Sequence, residues 1–333
     1  MKKNILEYLE KNKYISGEIL AEKLGISRVA IWKQIKKLKT LHYNIISHQN
    51  LGYCLVSKPD LLFPDEIQNN LITDFIGKRI FYYQKTESTN IIAKEKAQSK
   101  KDKAFEGTLV IAEKQTGGKG RLGRKWFSPS GGIWLSIILY PDLSPAFIPR
   151  ITLVTAVAIV KAIRELTRVQ ALIKWPNDIL IHEKKVCGIL TEISAELDII
   201  NWLVVGLGIN ANIEHSEFPP EIEDISISLQ EILKQKIPRV KLVQIFLQEF
   251  EKYYQMLNEK KSDFIFKEWK MYSNTLGRKI KIKSGNQIIS GKALDINNKG
   301  ALIVQKANGE CLEIISGTIL NESKEKDVLW KKK

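Results

Sequence analysis

Nothing in this chain restricts its fold as tightly as Gln115-Thr116-Gly117-Gly118-Lys119-Gly120-Arg121-Leu122-Gly123-Arg124-Lys125-Trp126. Four glycines and four cations share the last ten of those residues, so neither a helix nor a strand can run through them. Gly118, Gly120 and Gly123 satisfy the spacing of a dinucleotide fingerprint, but that fingerprint needs a helix directly behind it. Phe127-Ser128-Pro129-Ser130-Gly131-Gly132 cannot be that helix. The phosphate loop of nucleoside triphosphatases fails too, because Arg124 stands where Lys followed by Ser or Thr is required. What remains is a mobile loop of exposed backbone N–H groups and close-set cations. It suits a phosphate whose charge grows during reaction, and Trp126 offers a face for a base to stack on.

Around the loop, strand and helix patterns alternate. Residues 79–83 and 108–112 read as strands, and Ser88-Thr89-Asn90 opens a helix to about Gln98. Lys174-Trp175-Pro176-Asn177-Asp178 lies between the apolar runs 171–173 and 179–181. As turn chemistry it is ordinary, yet Asn177 and Asp178 are also oxygen ligands of the kind Mg²⁺ accepts beside a nucleotide. Lys185 enters the apolar strand 186–190. Gly206-Leu207-Gly208-Ile209-Asn210 closes a strand that starts at Trp202, its glycines allowing close backbone approach to a ligand. Four scattered histidines without CxxC or HExxH give no zinc site. Cys54, Cys187 and Cys311 are far apart and odd in number, which argues against a disulfide framework and for a cytoplasmic protein. No Ser-His-Asp or Cys-His set suggests a covalent enzyme intermediate.

The formal charge of +15 is uneven: residues 1–57 hold ten basic residues against four acids. Ile5, Leu6 and Leu9 predict a short first helix. Ser16-Gly17 opens a second with Glu18 in its first turn, Gly25 ends it, and Ser27 caps a third from Arg28. Ile31, Ile35 and Leu38 share one face of that third helix, while Arg28, Lys33, Lys36, Lys37 and Lys39 lie off it. This is a helix-turn-helix over about 17–36, and the hairpin expected from 44–47 and 53–56 makes it winged. The expected DNA contacts are Ser27, Arg28, Lys33, Lys36 and Lys37, with Trp32 either near the groove or packed on the wing.

Beyond about 274 the pattern becomes short strands (279–283, 287–291, 301–304, 311–314) with Gly-Asn turns, a small SH3-like barrel. Residues 239–271 read as helical. The fold class expected is therefore α+β and multidomain: a winged helix-turn-helix (1–58), a linker (59–66), a central mixed-sheet catalytic domain (67–273), the C-terminal barrel (274–322) and a charged tail (323–333). No apolar run approaches the roughly 18 residues of a membrane span; the best, Ile151 to Val160, stops at Lys161.

Taken together, the Gly118–Trp126 loop, the Lys174–Asp178 segment, Lys185 to Leu190, Gly206–Asn210, Glu87-Ser88-Thr89-Asn90 and the winged-helix segment resemble the family of bifunctional biotin protein ligases that also repress the biotin operon. The resemblance covers nearly the whole chain. Lipoate ligases share that fold but, as a family, lack the arginine loop. The resemblance implies a class II synthetase-like ligase domain with ATP, biotin and Mg²⁺ as its small molecules. It places Ser88, Thr89, Asn90, Gln115, Gly118, Lys119, Gly120, Arg121, Lys185 and Gly206 around biotin. Arg124, Trp126, Lys174, Asn177 and Asn210 fall on the ATP or adenylate side, Asp178 on Mg²⁺, and Arg121 with Lys185 carries the catalysis. Lys119 departs from the family's usual arginine, keeping the charge and losing the bidentate grip. The implied partners are the biotin carboxyl carrier protein of acetyl-CoA carboxylase, operator DNA and a second copy in a homodimer driven by biotinyl-5′-AMP, with no membrane. The alternatives are a ligase whose winged helix no longer represses, and a repressor that senses biotin with a dead catalytic site.

Overall fold

Residues 2–98, 105–196, 199–258 and 262–320 are described in a computed structural model of the chain, and they divide into two units, 1–61 and 62 onward. In the first unit, α1 (Lys2–Lys11), α2 (Gly17–Leu24) and α3 (Arg28–Thr40) precede the antiparallel hairpin β1 (Asn44–His48) and β2 (Gly52–Ser57). The caps are those the sequence calls for. Ser16 and Ser27 hydroxyls accept the N–H groups of Ile19 and Ala30 at 3.1 and 3.2 Å, and Gly25 ends α2 in the left-handed region at φ +63°. Ile31, Ile35 and Leu38 of α3 are buried, as are Ile5 and Leu9 of α1 and Leu20 of α2. Ile15 exchanges two backbone hydrogen bonds with Tyr53 and so ties the hairpin to the helices. A side chain at Gly52 would collide with that contact, since its Cβ would stand 2.2 Å from Ile15 O.

The second unit starts earlier than expected. Of the 59–66 stretch read as a linker, Leu62 and Phe63 are buried, the Leu62 N–H is held by Glu113 Oε1 at 2.6 Å, and Pro64 opens the short helix α4 (Pro64–Gln68). From there the strands β3 (Ile80–Tyr83), β4 (Leu109–Ala112), β5 (Ile133–Leu139), β6 (Leu172–Lys174), β7 (Asp178–Ile181), β8 (Lys184–Glu196) and β9 (Ile199–Ile209) form one mixed sheet. Its order is β3-β4-β5-β9-β8-β7-β6, parallel only between β3 and β4. The helices of this unit are α5 (Thr89–Gln98), α6 (Ile148–Thr167), α7 (Leu229–Leu233), α8 (Arg239–Asn258) and α9 (Ser262–Met271). The stretch 239–271 read as helical holds the two helices α8 and α9.

By length and composition α6 is apolar enough to cross a membrane. Here it is the core helix: Ile151, Val154, Val157, Ala158 and Ile159 are fully buried in the cluster that also holds Phe246, Phe250 and Trp269. Where a barrel was expected, the C-terminal region forms an antiparallel five-stranded sheet in the order β13-β12-β11-β10-β14, from β10 (Lys279–Ser284), β11 (Gln287–Ile296), β12 (Leu302–Gln305), β13 (Cys311–Ile314) and β14 (Thr318–Leu320). β11 outruns the expected 287–291, because Ala293 and Ile296 continue its buried face past a bulge. Ile282, Leu302 and Val304 join the central core, so the C-terminal sheet packs within the second unit. The expected tail, 323–333, and residues 321–322 lie outside the described residues.

One buried ion pair ties these layers together. Arg239, at the start of α8, donates to Glu113 Oε2 at 3.0 Å and to Gly132 O at 2.6 Å, with the two charged side chains 2 % and 5 % exposed. Burial, then the Glu113 carboxylate, pushes the neighbouring Tyr82 phenol well above its ordinary value.

Candidate active site

The N-terminus of α5, the segment after β4, and the faces of β5, β8 and β9 converge on a polar floor. Thr89 N–H donates to Gln115 Oε1 at 2.7 Å, and the Gln115 amide nitrogen donates to Ser128 Oγ at 2.9 Å. Ser128 passes the bond on to Trp126 O at 3.0 Å. On the other side the Thr89 hydroxyl lies 2.8 Å from Ser136 Oγ, which is 2.6 Å from Asn90 Oδ1. Asn90 Nδ2 donates to Glu192 Oε2 at 2.8 Å, and Lys94 pairs with the other carboxylate oxygen at 2.7 Å. Ser88, Thr89 and Asn90 are at most 4 % exposed, whereas Lys94 and Glu192 at the far end of the network are partly exposed.

The glycine loop is less open than its composition suggests. Trp126 N–H donates to Gly118 O at 2.8 Å and Gly120 N–H to Arg124 O at 2.7 Å, which folds the expected mobile loop into a short strap. Its tip turns through Leu122 and Gly123, both at positive φ, and Leu122 stands 78 % exposed. Lys119, Arg124 and Lys125 are exposed, whereas Arg121 reaches inward and donates to Asn177 Oδ1 at 2.9 Å and Gly317 O at 3.3 Å. Burial pushes the Arg121 guanidinium below its ordinary value, and Asp178 pulls it back up. It stays charged at any physiological pH.

The β6–β7 turn supplies Asn177 and Asp178. The Asn177 amide is fixed by Ile189 O at 2.8 Å, and Asp178 Oδ1 pairs with Lys185 Nζ at 2.7 Å. Lys185 Nζ also sits 4.8 Å from the Trp126 ring centroid. Trp126 in turn lies in a trough made by Gly188 and Gly208, direct partners on β8 and β9. A Cβ at either would come within 2.8 or 2.4 Å of the indole. The glycines expected to admit a ligand therefore admit protein side chains: Trp126 lies on Gly208, and Asn90 lies on Gly206 at 2.2 Å from a hypothetical Cβ.

The structure thus brings Arg121, Asn177, Asp178, Lys185 and Trp126 together at one end and Thr89, Asn90, Gln115 and Gly118 at the other. Lys174 ends β6, and its charge bears on Glu183, whose carboxyl lies below its ordinary range chiefly through its Arg278 hydrogen bond. Asn210 is buried with its amide donated to Ile227 O and Lys185 O at 3.2 and 3.4 Å, bracing the strand end. Sequence reasoning missed Ser128, Ser136 and Glu192. Ser136 carried a signal, as the one polar residue in the otherwise apolar, wholly buried β5. It also missed the segment after β9, where Ile213 and Phe218 pack with Trp134 against Trp126 and Phe127. Among the described residues no three His, Cys, Asp or Glu side chains group closely enough to hold a metal by themselves.

In the first unit, Arg28, Lys33, Lys36 and Lys37 line the exposed side of α3, and Ser27 caps it. Trp32 is 53 % exposed with Lys36 Nζ 5.3 Å from its ring, and it lines a groove shared with Arg28, His48 and Asn50 of the hairpin.

Comparison with known proteins places each region. The profile of the biotin/lipoate A/B protein ligase family matches residues 81–210, a helix-turn-helix domain profile matches 2–54, and the biotin protein ligase C-terminal domain matches 275–320. The bifunctional ligase/repressor BirA of Bacillus subtilis is 38 % identical over 93 % of this chain and 95 % of its own length. Its counterpart of Escherichia coli is 28 % identical over 91 % of each. The solved structure of the biotin protein ligase from Aquifex aeolicus in complex with biotin and ATP superposes with a TM-score of 0.63 at 31 % identity, over 73 % of this chain and 98 % of that one. With the winged helix, the mixed sheet and the C-terminal sheet each matched, and with the strap and its polar floor in place, the chain belongs to the family of bifunctional biotin protein ligase/repressors.

Proposed function

We propose that this protein joins biotin to ATP to give biotinyl-5′-AMP and pyrophosphate, then transfers the biotinyl group to a lysine of the biotin carboxyl carrier protein of acetyl-CoA carboxylase. The observation that carries this reading is the convergence of Arg121 and Lys185 beside Asp178, next to the Thr89–Gln115 floor. In the first step the biotin carboxylate attacks the α-phosphorus of ATP, and pyrophosphate leaves. Two anions must meet, so the obstacle is electrostatic, and fixed cations lower it without reorganising. Ser88, Thr89, Asn90, Gln115 and the Gly118–Gly120 backbone hold biotin, Gly206 giving the floor its depth. Lys119, Arg121 and Lys185 face its carboxylate and the phosphate. Arg124, Trp126, Lys174, Asn177 and Asn210 stand on the nucleotide side.

Asp178 fits a Mg²⁺ that enters with the triphosphate, since such an ion takes one or two carboxylates and completes its shell from phosphate and water. When bound it supplies charge neutralisation on the departing pyrophosphate. The adenylate is a mixed anhydride that water destroys, so the strap must cover it until the carrier lysine attacks the carbonyl and AMP leaves. The loaded form dimerises in the cytoplasm, and two winged helices then hold Ser27, Arg28, Lys33, Lys36 and Lys37 against a palindromic operator.

One set of mixtures tests this. Protein, biotin, Mg·ATP and apo carrier are combined and the carrier mass is followed, while a gel-shift series is run on the protein's own promoter with and without the adenylate. The expected result is one biotinyl group per acceptor lysine and an adenylate-dependent shift that weakens steeply with salt. An unchanged carrier mass with a retained shift would mean a dead site that only senses; full biotinylation without a shift would mean a ligase that no longer represses.

A further inference from the structure

We infer that Val29 and Trp32, near the start of α3, are specificity-determining residues of the winged helix and read thymine methyl groups in the major groove of the operator. The inference rests on the operator-binding reading above and goes beyond it to the base that is read and the side chains that read it.

α3 turns Ile31, Ile35 and Leu38 inward, each at most 2 % exposed. Its opposite side carries Val29, Trp32, Lys33 and Lys36 at i, i+3, i+4 and i+7, one continuous row along the helix. Two members of that row are large and apolar, Val29 at 62 % and Trp32 at 53 % exposure. A lone exposed apolar residue needs no explanation. An adjoining pair does, on a helix whose other exposed residues from Ser27 to Thr40 are all cationic or hydroxylic. Helix propensity does not ask for them, because β-branched and aromatic side chains lose rotamer freedom against the preceding turn. Core packing does not ask for them either, and the hairpin leaves Trp32 half open.

Their surroundings define what covers them. Residues 28–40 hold Arg28, Lys33, Lys36, Lys37 and Lys39 and no acid, so this face complements phosphate. Lys36 Nζ lies 5.3 Å from the Trp32 ring, which sets a cation directly beside the apolar pair. Arg28, Val29 and Trp32 line one groove with Ser47, His48 and Asn50 of the hairpin. In a helix-turn-helix the N-terminal residues of the second helix meet base edges, while flanking cations hold the backbone. Val29 and Trp32 lie in the first two turns of α3, and Lys36, Lys37 and Lys39 follow them.

Bases in a duplex stay stacked, so the indole meets their edges and not their faces. Along the major groove those edges present donors, acceptors and one apolar substituent, the C5 methyl of thymine. Against a donor or acceptor, an apolar side chain strips water and returns no hydrogen bond. Thymine is therefore the base that this pair accepts.

The test uses the full chain with biotinyl-5′-AMP and a synthetic duplex of the segment it protects in its own promoter. The duplex is made once with thymidine and once with deoxyuridine in the protected half-sites. Deoxyuridine lacks the methyl and keeps every hydrogen-bonding atom. One methyl buried against an apolar side chain is worth about fourfold in affinity, so losing one in each of two half-sites is expected to weaken binding by about tenfold or more. The double variant Val29→Ala, Trp32→Ala is expected to bind the thymidine duplex more weakly and to lose nothing further with deoxyuridine. Lys37→Gln is expected to weaken both duplexes alike and to make the salt dependence shallower.

Equal wild-type affinities for the two duplexes overturn the inference. So does a deoxyuridine penalty that persists in the double variant, since the methyls then act through duplex shape or through other residues. Unchanged operator affinity in the double variant, with a weakened dimer in sedimentation, assigns the groove to a protein contact and overturns it too. Should the double variant not fold, Val29→Ser at the more exposed position carries the same comparison: a smaller penalty supports the inference, an undiminished one overturns it. Failure of the wild type to bind the thymidine duplex at all contradicts the repressor reading and takes this inference with it. Binding that ignores the methyls contradicts this inference alone.

Discussion

Lys185→Ala is expected to lower the rate of adenylate formation by about 10²–10³-fold while leaving the fold intact. Lys185 stands 2.7 Å from Asp178 Oδ1 and 4.8 Å from the Trp126 ring centroid, at the start of β8. Its side chain is partly exposed, so truncation leaves no large buried cavity, although it takes the ion-pair partner from the buried Asp178 Oδ1. The loss therefore falls on the step where the carboxylate and the α-phosphate approach each other, in which a fixed positive charge acts most strongly. Lys185→Arg should recover only part of the activity, since a planar guanidinium cannot take the place of a compact ammonium against the Trp126 face. Single-turnover formation of biotinyl-5′-AMP, with the melting temperature as a control, checks this. A variant within a few-fold of wild type would remove Lys185 from the chemistry.

The second large effect is on stability. Arg239→Ala leaves the Glu113 carboxylate buried without its ion-pair partner, and removing one member of such a pair costs about 3–5 kcal/mol. It also takes a donor from Gly132 O, next to the bend that leads into β5. With roughly 2–4 °C per kcal/mol for a unit of this size, the melting temperature should fall on the order of 10 °C. The companion Arg239→Met with Glu113→Gln should recover much of that loss. It leaves no uncompensated charge, and the glutamine side-chain oxygen can still accept the Leu62 N–H. Differential scanning calorimetry of the two variants reads both effects. Equal losses in both would show that shape, and not the buried charge, is what the site requires.

How much of this was legible beforehand follows from physical range. The winged helix could be read because its signals are local: Ser16, Gly25 and Ser27 act within four residues of their own positions, and the Ile31–Ile35–Leu38 face repeats at helical period. The strap was legible as chemistry but not as geometry. Composition announces glycines and cations, yet the bonds from Trp126 to Gly118 and from Gly120 to Arg124 depend on a register no propensity encodes. Gly206 and Gly208 were read as openings for a ligand. Which side chain fills a missing Cβ is decided by α5 and the strap crossing the sheet, a tertiary fact. Glu192 and Ser136 escaped for the same reason: they matter through Asn90 and Thr89, which stand about a hundred and about fifty positions away in the chain. Pro64 opens a helix as its sequence signal indicates, but that signal serves equally in a tether or in a core, and only the Glu113 contact with Leu62 assigns residues 62–66 to the second unit.

The central claim is that the strap, through Arg121, retains an activated acyl-nucleotide. The rate at which preformed biotinyl-5′-AMP leaves the protein, measured for the wild type and for Arg121→Gly, tests it most directly. Removing Arg121 deletes the one strap cation that reaches Asn177 and Gly317 and gives the 118–126 segment a fourth glycine in place of its inward anchor. The account predicts release faster by at least about tenfold, with the freed intermediate labelling lysines of bystander proteins. Equal release rates, with biotin found only on the carrier, would contradict it.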